Sequence, residues 1–177
     1  MQQKRRVGRP SEKEGINKEY ILNTALKAFA EFGFEGVSVN TIAKRAKVHD
    51  SLLHYHFGNK LDVWKKSISL SANKYDVESK KVIRLFKNED IKMLGKALIR
   101  HFIYFMSENI ELHQVLTHEL TQKTERTGWV IKAALIPFSD KVDEFYNTYM
   151  GTESTYKIPP ANYFTMIYGM ASNFFTM

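Results

Sequence analysis

The stretch from Ser38 to Lys60, SVNTIAKRAKVHDSLLHYHFGNK, constrains the fold of this chain most, because it reads as two short helices joined by a tight turn. Ser38 is a good N-cap, and Val39, Ile42, Ala43 and Ala46 recur at the three-to-four spacing of one helix face. The alanines allow a second helix to approach closely. Lys47, Val48 and His49 make the break. After it Leu53 and Phe57, four apart, give the next helix an inward stripe, leaving Leu52, His54, Tyr55 and His56 to point elsewhere. Helices of fewer than three turns do not hold in water alone, so neighbours must clamp them. A short clamped helix with aromatic and basic residues on its outer side has the geometry of an element that enters a DNA major groove.

At these residues a resemblance emerges. The segment AFAEFGFEGVSVNTIAKRAKVHDSLLHYHFGNKLDVW resembles the N-terminal domain of the TetR family of bacterial transcriptional regulators, in register from about Ile21 to Trp64. Phe29, Gly33, Phe34, Gly36, Ile42, Ala43, Val48, Leu53, Tyr55, His56, Phe57 and Lys60 carry the match. The resemblance implies that Tyr55 and His56 contact phosphates and bases and that Lys60 binds a phosphate. The chain departs from the family where a small hydroxyl residue, a glycine and a tyrosine are common: His49, Ser51 and His54 stand there. His49 is a weaker cap, so Asp50 or Ser51 is expected to compete for the start of the helix. Ser51 can donate to a phosphate but prevents the closest backbone approach. Asp50 either caps the helix or accepts from a cytosine amino group. Leu52 either touches a thymine methyl or packs on Val48.

Charge is placed where such a role needs it. Residues 1–66 hold 13 basic and 7 acidic side chains, and residues 67–177 hold 13 and 12. Phosphate neutralisation supplies much of the affinity of DNA-binding proteins, so the basic surplus at the motif fits. With no cysteine, a disulfide framework and thiolate metal sites are excluded. His49, His54 and His56 do not converge as metal ligands, since residues two apart lie on different sides of a helix. The start, MQQKRRVGRPSEKEG, lacks the apolar core of a signal peptide, and a cytoplasmic location is expected. The uncharged residues 158–177 are long enough to span a bilayer, but Pro159, Pro160, Asn162, Ser172 and Asn173 mark them as a buried helix.

In order, residues 1–15 form a basic arm whose Arg5, Arg6 and Arg9 either lie in the minor groove or remain a solvated tail. Residues 16–60 form the helix-turn-helix domain, and residues 61–177 a larger helical ligand-binding and dimerisation domain. The first helix is expected to start at Asn17, bury Ile21, Leu22, Ala25, Leu26, Phe29 and Phe32, and end at Gly33. Asn59 reads as an N-cap with Asp62 at the third helical position, which puts Lys60 beside unpaired backbone N–H groups, a ready anion site. The expected DNA-facing set is Arg5, Arg6, Arg9, Ser38, Lys47, His49, Ser51, Leu52, His54, Tyr55, His56 and Lys60.

Beyond the motif the spacing predicts only helices, and the fold class is all-α: a three-helix head on a larger bundle. Leu61 to about Phe86 should be one long helix buried along Val63, Trp64, Ile68, Ala72, Tyr75, Val82 and Ile83. A second should carry Ile91, Leu94, Leu98, Phe102 and Phe105, and a third Leu112, Val115, Leu116 and Leu120. Thr121 to Thr127 reads as a polar connection. Pro137 kinks the next run or restarts it. The resemblance implies a cavity in the bundle whose occupant separates paired DNA heads. The aromatic and flexible residues Phe102, Phe105, Met106, His113, Leu116, Trp129, Phe138, Tyr146, Tyr163, Ile167 and Met170 are the candidates to line it, with Arg100, His101, His118 and Glu119 as further polar groups. They suit a bulky, mostly apolar ligand.

The expected function is a repressor released from a palindromic operator by a small, largely apolar effector. Homodimerisation, normally through the last two helices, is implied by the resemblance. One plausible helix remains after the loop at residues 151–158, so either a terminal segment is missing or the dimer is arranged differently. The alternative is an effector-independent nucleoid-associated protein. No phosphate loop, cysteine nucleophile or histidine–carboxylate pattern supports an enzyme, and no cofactor is expected.

Overall fold

The computed structural model describes residues 17–137, 139–140, 162 and 165–171. Every regular element among them is helical, in agreement with the all-α expectation. Helix α1 (Lys18–Phe32) is capped by Asn17, whose side chain accepts from the Tyr20 N–H at 2.9 Å. Gly33 closes it at φ +70°, in the left-handed region. Ile21, Leu22, Ala25, Leu26, Ala28 and Phe29 are buried. Phe32 is a correction: it is 49% exposed. It lies on the last turn, beyond the packed face, and the Arg45 guanidinium covers its ring at 4.9 Å while bonded to Glu31 at 2.7 Å.

Helices α2 (Val39–Ala46) and α3 (Asp50–Phe57) follow, and α4 (Lys60–Leu85) runs from the head into the bundle. Helix α1 packs against α2, α4 and α6 (Ile110–Gln122), so one helix holds the head together and ties it to the larger half. The core is correspondingly continuous. Trp64 is fully buried, edge-on to Phe34 at 5.8 Å and 5.5 Å from Trp129. Truncating a tryptophan so placed costs about 3–5 kcal/mol, which makes the head–bundle junction a main source of stability.

The far end of α4 differs from expectation, because Ile83 is 38% exposed and Leu85 is exposed. Among the described residues α4 packs mainly against α1 and α5 (Ile91–Glu108), and neither buries these two side chains. Thr121 to Thr127 is likewise not simply a connection. Helix α6 continues to Gln122, Lys123 turns the chain at φ +53°, and α7 (Glu125–Val130) begins immediately. The threonines that looked like a loop are caps: the Thr124 N–H donates to Thr127 Oγ1 at 2.9 Å, and Thr127 Oγ1 donates to the Glu119 carbonyl at 2.9 Å. Ahead of Pro137 the helix widens into a π turn at Ile131–Leu135, where the Ile136 N–H reaches the Ile131 carbonyl. Proline brings no N–H and crowds the carbonyl four residues back, and a widened turn accommodates it without breaking the run. Residues 165–171 are helical, the last such segment among the described residues.

Candidate nucleic-acid interface

Ser38 caps α2 as its sequence position requires, accepting from the Thr41 N–H at 3.0 Å. Ile42, Ala43 and Ala46 are buried against α1 and α3. The exposed Lys47 ends the helix at φ +56°, its N–H turned back on the Ala43 and Lys44 carbonyls. This left-handed residue, costly for any side chain but glycine, turns the chain between α2 and α3.

Helix α3 is eight residues long and is held by Leu53, fully buried, and Phe57, 4% exposed. Its opposite side faces solvent. Ser51, His54 and Tyr55 are exposed, Tyr55 to 84%, and the His56 ring lies edge-on to Tyr55 at 4.8 Å. His49 occupies the N-cap position without a side-chain bond. The carboxylate of Asp50 accepts from the Ser51 N–H at 2.8 Å, so Asp50 acts as a local cap. Leu52 is half-buried and, like Val48, packs against the core.

Asn59 and Asp62 form the reciprocal capping box at the start of α4. Lys60 is therefore at a helix N-terminus, but its ammonium rests on the Phe34 ring at 4.3 Å. A contact of that kind that keeps partial access to solvent is worth about 1 kcal/mol, too little to keep the lysine from a phosphate. The Arg126 guanidinium approaches the same ring at 4.0 Å. Arg5, Arg6 and Arg9 lie outside the described residues.

In the larger half a cavity of about 70 Å³ is lined by Ala72, Tyr75, Phe102, Phe105, Met106, Leu112, Leu116, Leu135 and Tyr168. Four of the candidate ligand residues, Phe102, Phe105, Met106 and Leu116, are among them. His113 is buried beside the cavity, 3.3 Å from the Tyr168 hydroxyl and 3.3 Å from Thr117. Ile167 packs against the buried cluster of Phe102, Met106 and Ala171. Trp129 and Met170 are elsewhere: Trp129 lies on Trp64, and Met170 is 66% exposed. Phe138, Tyr146 and Tyr163 lie outside the described residues. Sequence reasoning placed Ala72, Tyr75 and Leu112 in helix stripes without assigning them to the cavity. Tyr75 was the one with a signal, a polar-tipped ring in an apolar stripe; it stacks on His101 at 5.3 Å, and burial pushes its hydroxyl pKa well up.

The other polar candidates are also elsewhere. Arg100 is exposed. His118 packs over Gly33. Glu119 is buried in a bond to Arg126, away from the cavity. Among the described residues no helix is long and apolar enough to cross a membrane, and no three His, Cys, Asp or Glu side chains form a metal-ligating group.

Residues 21–64 match the sequence family described as bacterial regulatory proteins, tetR family. The chain is 29% identical over 115 residues to the biofilm operon icaADBC HTH-type negative transcriptional regulator IcaR of Staphylococcus epidermidis, a match covering 65% of this chain and 59% of that protein. Its fold resembles that of the fatty acid degradation regulator FadR from Bacillus halodurans, with a TM-score of 0.70, 22% identity, and 89% of this chain and 84% of that one covered. FadR from Bacillus subtilis, solved in complex with stearoyl-CoA, gives a TM-score of 0.69 and 21% identity over the same shares of the two chains.

Proposed function

Since the chain belongs to the TetR family of bacterial regulatory proteins, we propose that it is a sequence-specific transcriptional repressor that binds a palindromic operator as a homodimer and is released by a small, largely apolar ligand. One observation carries the DNA-binding part. Tyr55 is 84% exposed on a helix whose Leu53 and Phe57 are buried, so α3 is clamped from behind and presents its aromatic face outward. One short recognition helix reads few bases, and two heads about 34 Å apart would read a palindrome.

The ligand part rests on the cavity. A volume of about 70 Å³ is far below the roughly 300–1,000 Å³ of pockets that enclose a whole ligand. An occupant therefore has to spread α4, α5 and α6. Helix α4 begins in the head and α6 packs on α1, so spreading them reorients the head. The ligand weakens DNA binding by its preference for the spread state, through linkage between the two sites. The stearoyl-CoA complex of the Bacillus subtilis regulator makes a long acyl chain the first ligand to try.

The experiment is selection of duplexes from a random pool, followed by gel shifts with the enriched sequence. The reading predicts a two-fold symmetric site, two chains per duplex, and loss of the shifted band on adding an acyl-CoA or another apolar ligand. A pool that stays random, with the protein coating DNA indifferently, would refute the sequence-specific reading and leave a DNA-coating protein in its place.

A further inference from the structure

Helix α3 is fastened unequally at its two ends. At the N-terminus His49 makes no side-chain cap, and Asp50 bonds only its neighbour's N–H. At the C-terminus the Gly58 N–H, with Gly58 at φ +90°, returns to the His54 carbonyl. The Phe57 carbonyl receives a donor from outside the helix: Lys66, on the second turn of α4, places Nζ 2.9 Å from it. Among the described residues this is the only side-chain hydrogen bond from another helix to α3.

Lys66 is suited to that task and is not engaged in another. No carboxylate pairs with it among the described residues. Its ammonium also lies 6.0 Å from the centre of the Phe57 ring. The last carbonyls of a helix are unpaired and carry the negative end of its dipole, so a cation donating there is favoured twice, as a hydrogen-bond donor and as a charge. An eight-residue helix has too few internal bonds to resist tilting by itself. Apolar packing of Leu53 and Phe57 keeps it close to the core, but such packing is non-directional. A directional bond at one end fixes the angle at which Tyr55 and His56 are offered.

We propose that Lys66 is a positioning residue for DNA recognition: it locks the C-terminus of α3 to α4 through the Phe57 carbonyl and sets the alignment of the recognition helix without touching DNA. This deepens the reading of α3 as the recognition helix and rests on it. A positioning lysine and a phosphate-binding lysine leave different signatures. Loss of a phosphate contact weakens binding to every duplex alike and makes the salt dependence shallower by about one unit of slope. Loss of alignment spoils base contacts and leaves the phosphate count unchanged.

The test compares wild type, Lys66→Met and Lys66→Arg on the duplex the wild type selects from a random pool and on a scrambled duplex of the same composition. Thermal unfolding of each variant is run in parallel. Lys66→Met should bind the selected duplex about tenfold more weakly, the loss expected from one charge-assisted hydrogen bond. The scrambled duplex should change by less than about twofold, with the salt slope kept. Lys66→Arg, whose guanidinium can also donate to the carbonyl, should recover most of the discrimination. Equal weakening on both duplexes with a shallower slope would make Lys66 a phosphate contact, and no change on either would make the bond incidental; both overturn the proposal. If the wild type enriches no sequence, the recognition reading itself fails and the role of Lys66 falls with it. That result is distinguishable because it appears before any variant is made.

Discussion

Arg126 donates to Glu35 at 3.0 Å, across 91 positions of sequence, while its Nε holds both carboxylate oxygens of Glu119 at 3.2 Å. The first bond joins the bundle to the head. The second compensates a carboxylate that is 1% exposed, which Thr124 Oγ1 also supports at 3.0 Å. With Phe34 under the guanidinium at 4.0 Å, this one side chain touches both halves of the molecule.

The two bonds of Arg126 should differ sharply in worth. Replacing it with methionine strands a buried charge and should cost about 3–5 kcal/mol of stability in urea unfolding. Glu35→Ala removes only an exposed partner, 80% accessible, and should cost at most about 1 kcal/mol. Equal losses for the two variants would mean that Glu119 is not the group Arg126 serves.

Lys60→Ala should weaken binding to all duplexes and reduce the salt slope by about one. Tyr55→Phe, which removes a hydroxyl from an exposed ring, should also lower affinity generally. Gel shifts at several salt concentrations report both. An unchanged slope in Lys60→Ala would show that its ammonium stays on Phe34 when DNA is bound.

Alkaline stability follows from the two cavity tyrosines. Burial raises the hydroxyl pKa of both Tyr75 and Tyr168 above the ordinary value of 10.0. The folded state therefore holds these protons more tightly than the unfolded chain does. Stability is fully present below about pH 10 and falls as the pH rises above it. Urea midpoints measured between pH 9 and 11 should decline, and Tyr75→Phe should flatten the decline. A Tyr75→Phe profile parallel to that of the wild type would contradict this.

Gly36 has no room for a side chain, since a Cβ there would sit 2.4 Å from the Phe32 carbonyl oxygen. Gly36→Ala should destabilise the head by about 1–3 kcal/mol, the usual cost of overpacking. Thermal unfolding would show it, and an unshifted midpoint would mean that the loop between α1 and α2 yields without loss.

The head was largely readable from the sequence because its signals are local. Asn17, Ser38 and Asn59 sit at the caps they announce, and Leu53 and Phe57 are the buried pair. Errors arose where a helix ends or its cover is short. Phe32 and Ile83 keep the apolar spacing but extend beyond the neighbours that would bury them. Thr124 and Thr127 read as a loop in the sequence because the same residue types serve turns and caps alike. Arg126 gave no local hint at all: its partners are an acidic residue on a distant loop and a buried glutamate that read as a possible ligand group. Spacing also could not separate Trp129 from the cavity residues, since it shows which face is buried and not against what.

Helix α4 is a single unbroken run of 26 residues, about 39 Å at the rise of an α-helix. It behaves as a lever. A tilt of roughly 5° about one end displaces the other by about 3 Å over that length, comparable to the spacing between stacked base pairs. If a ligand spreads the cavity as proposed, a tilt of that size would shift the head by about one base-pair step without any element unfolding.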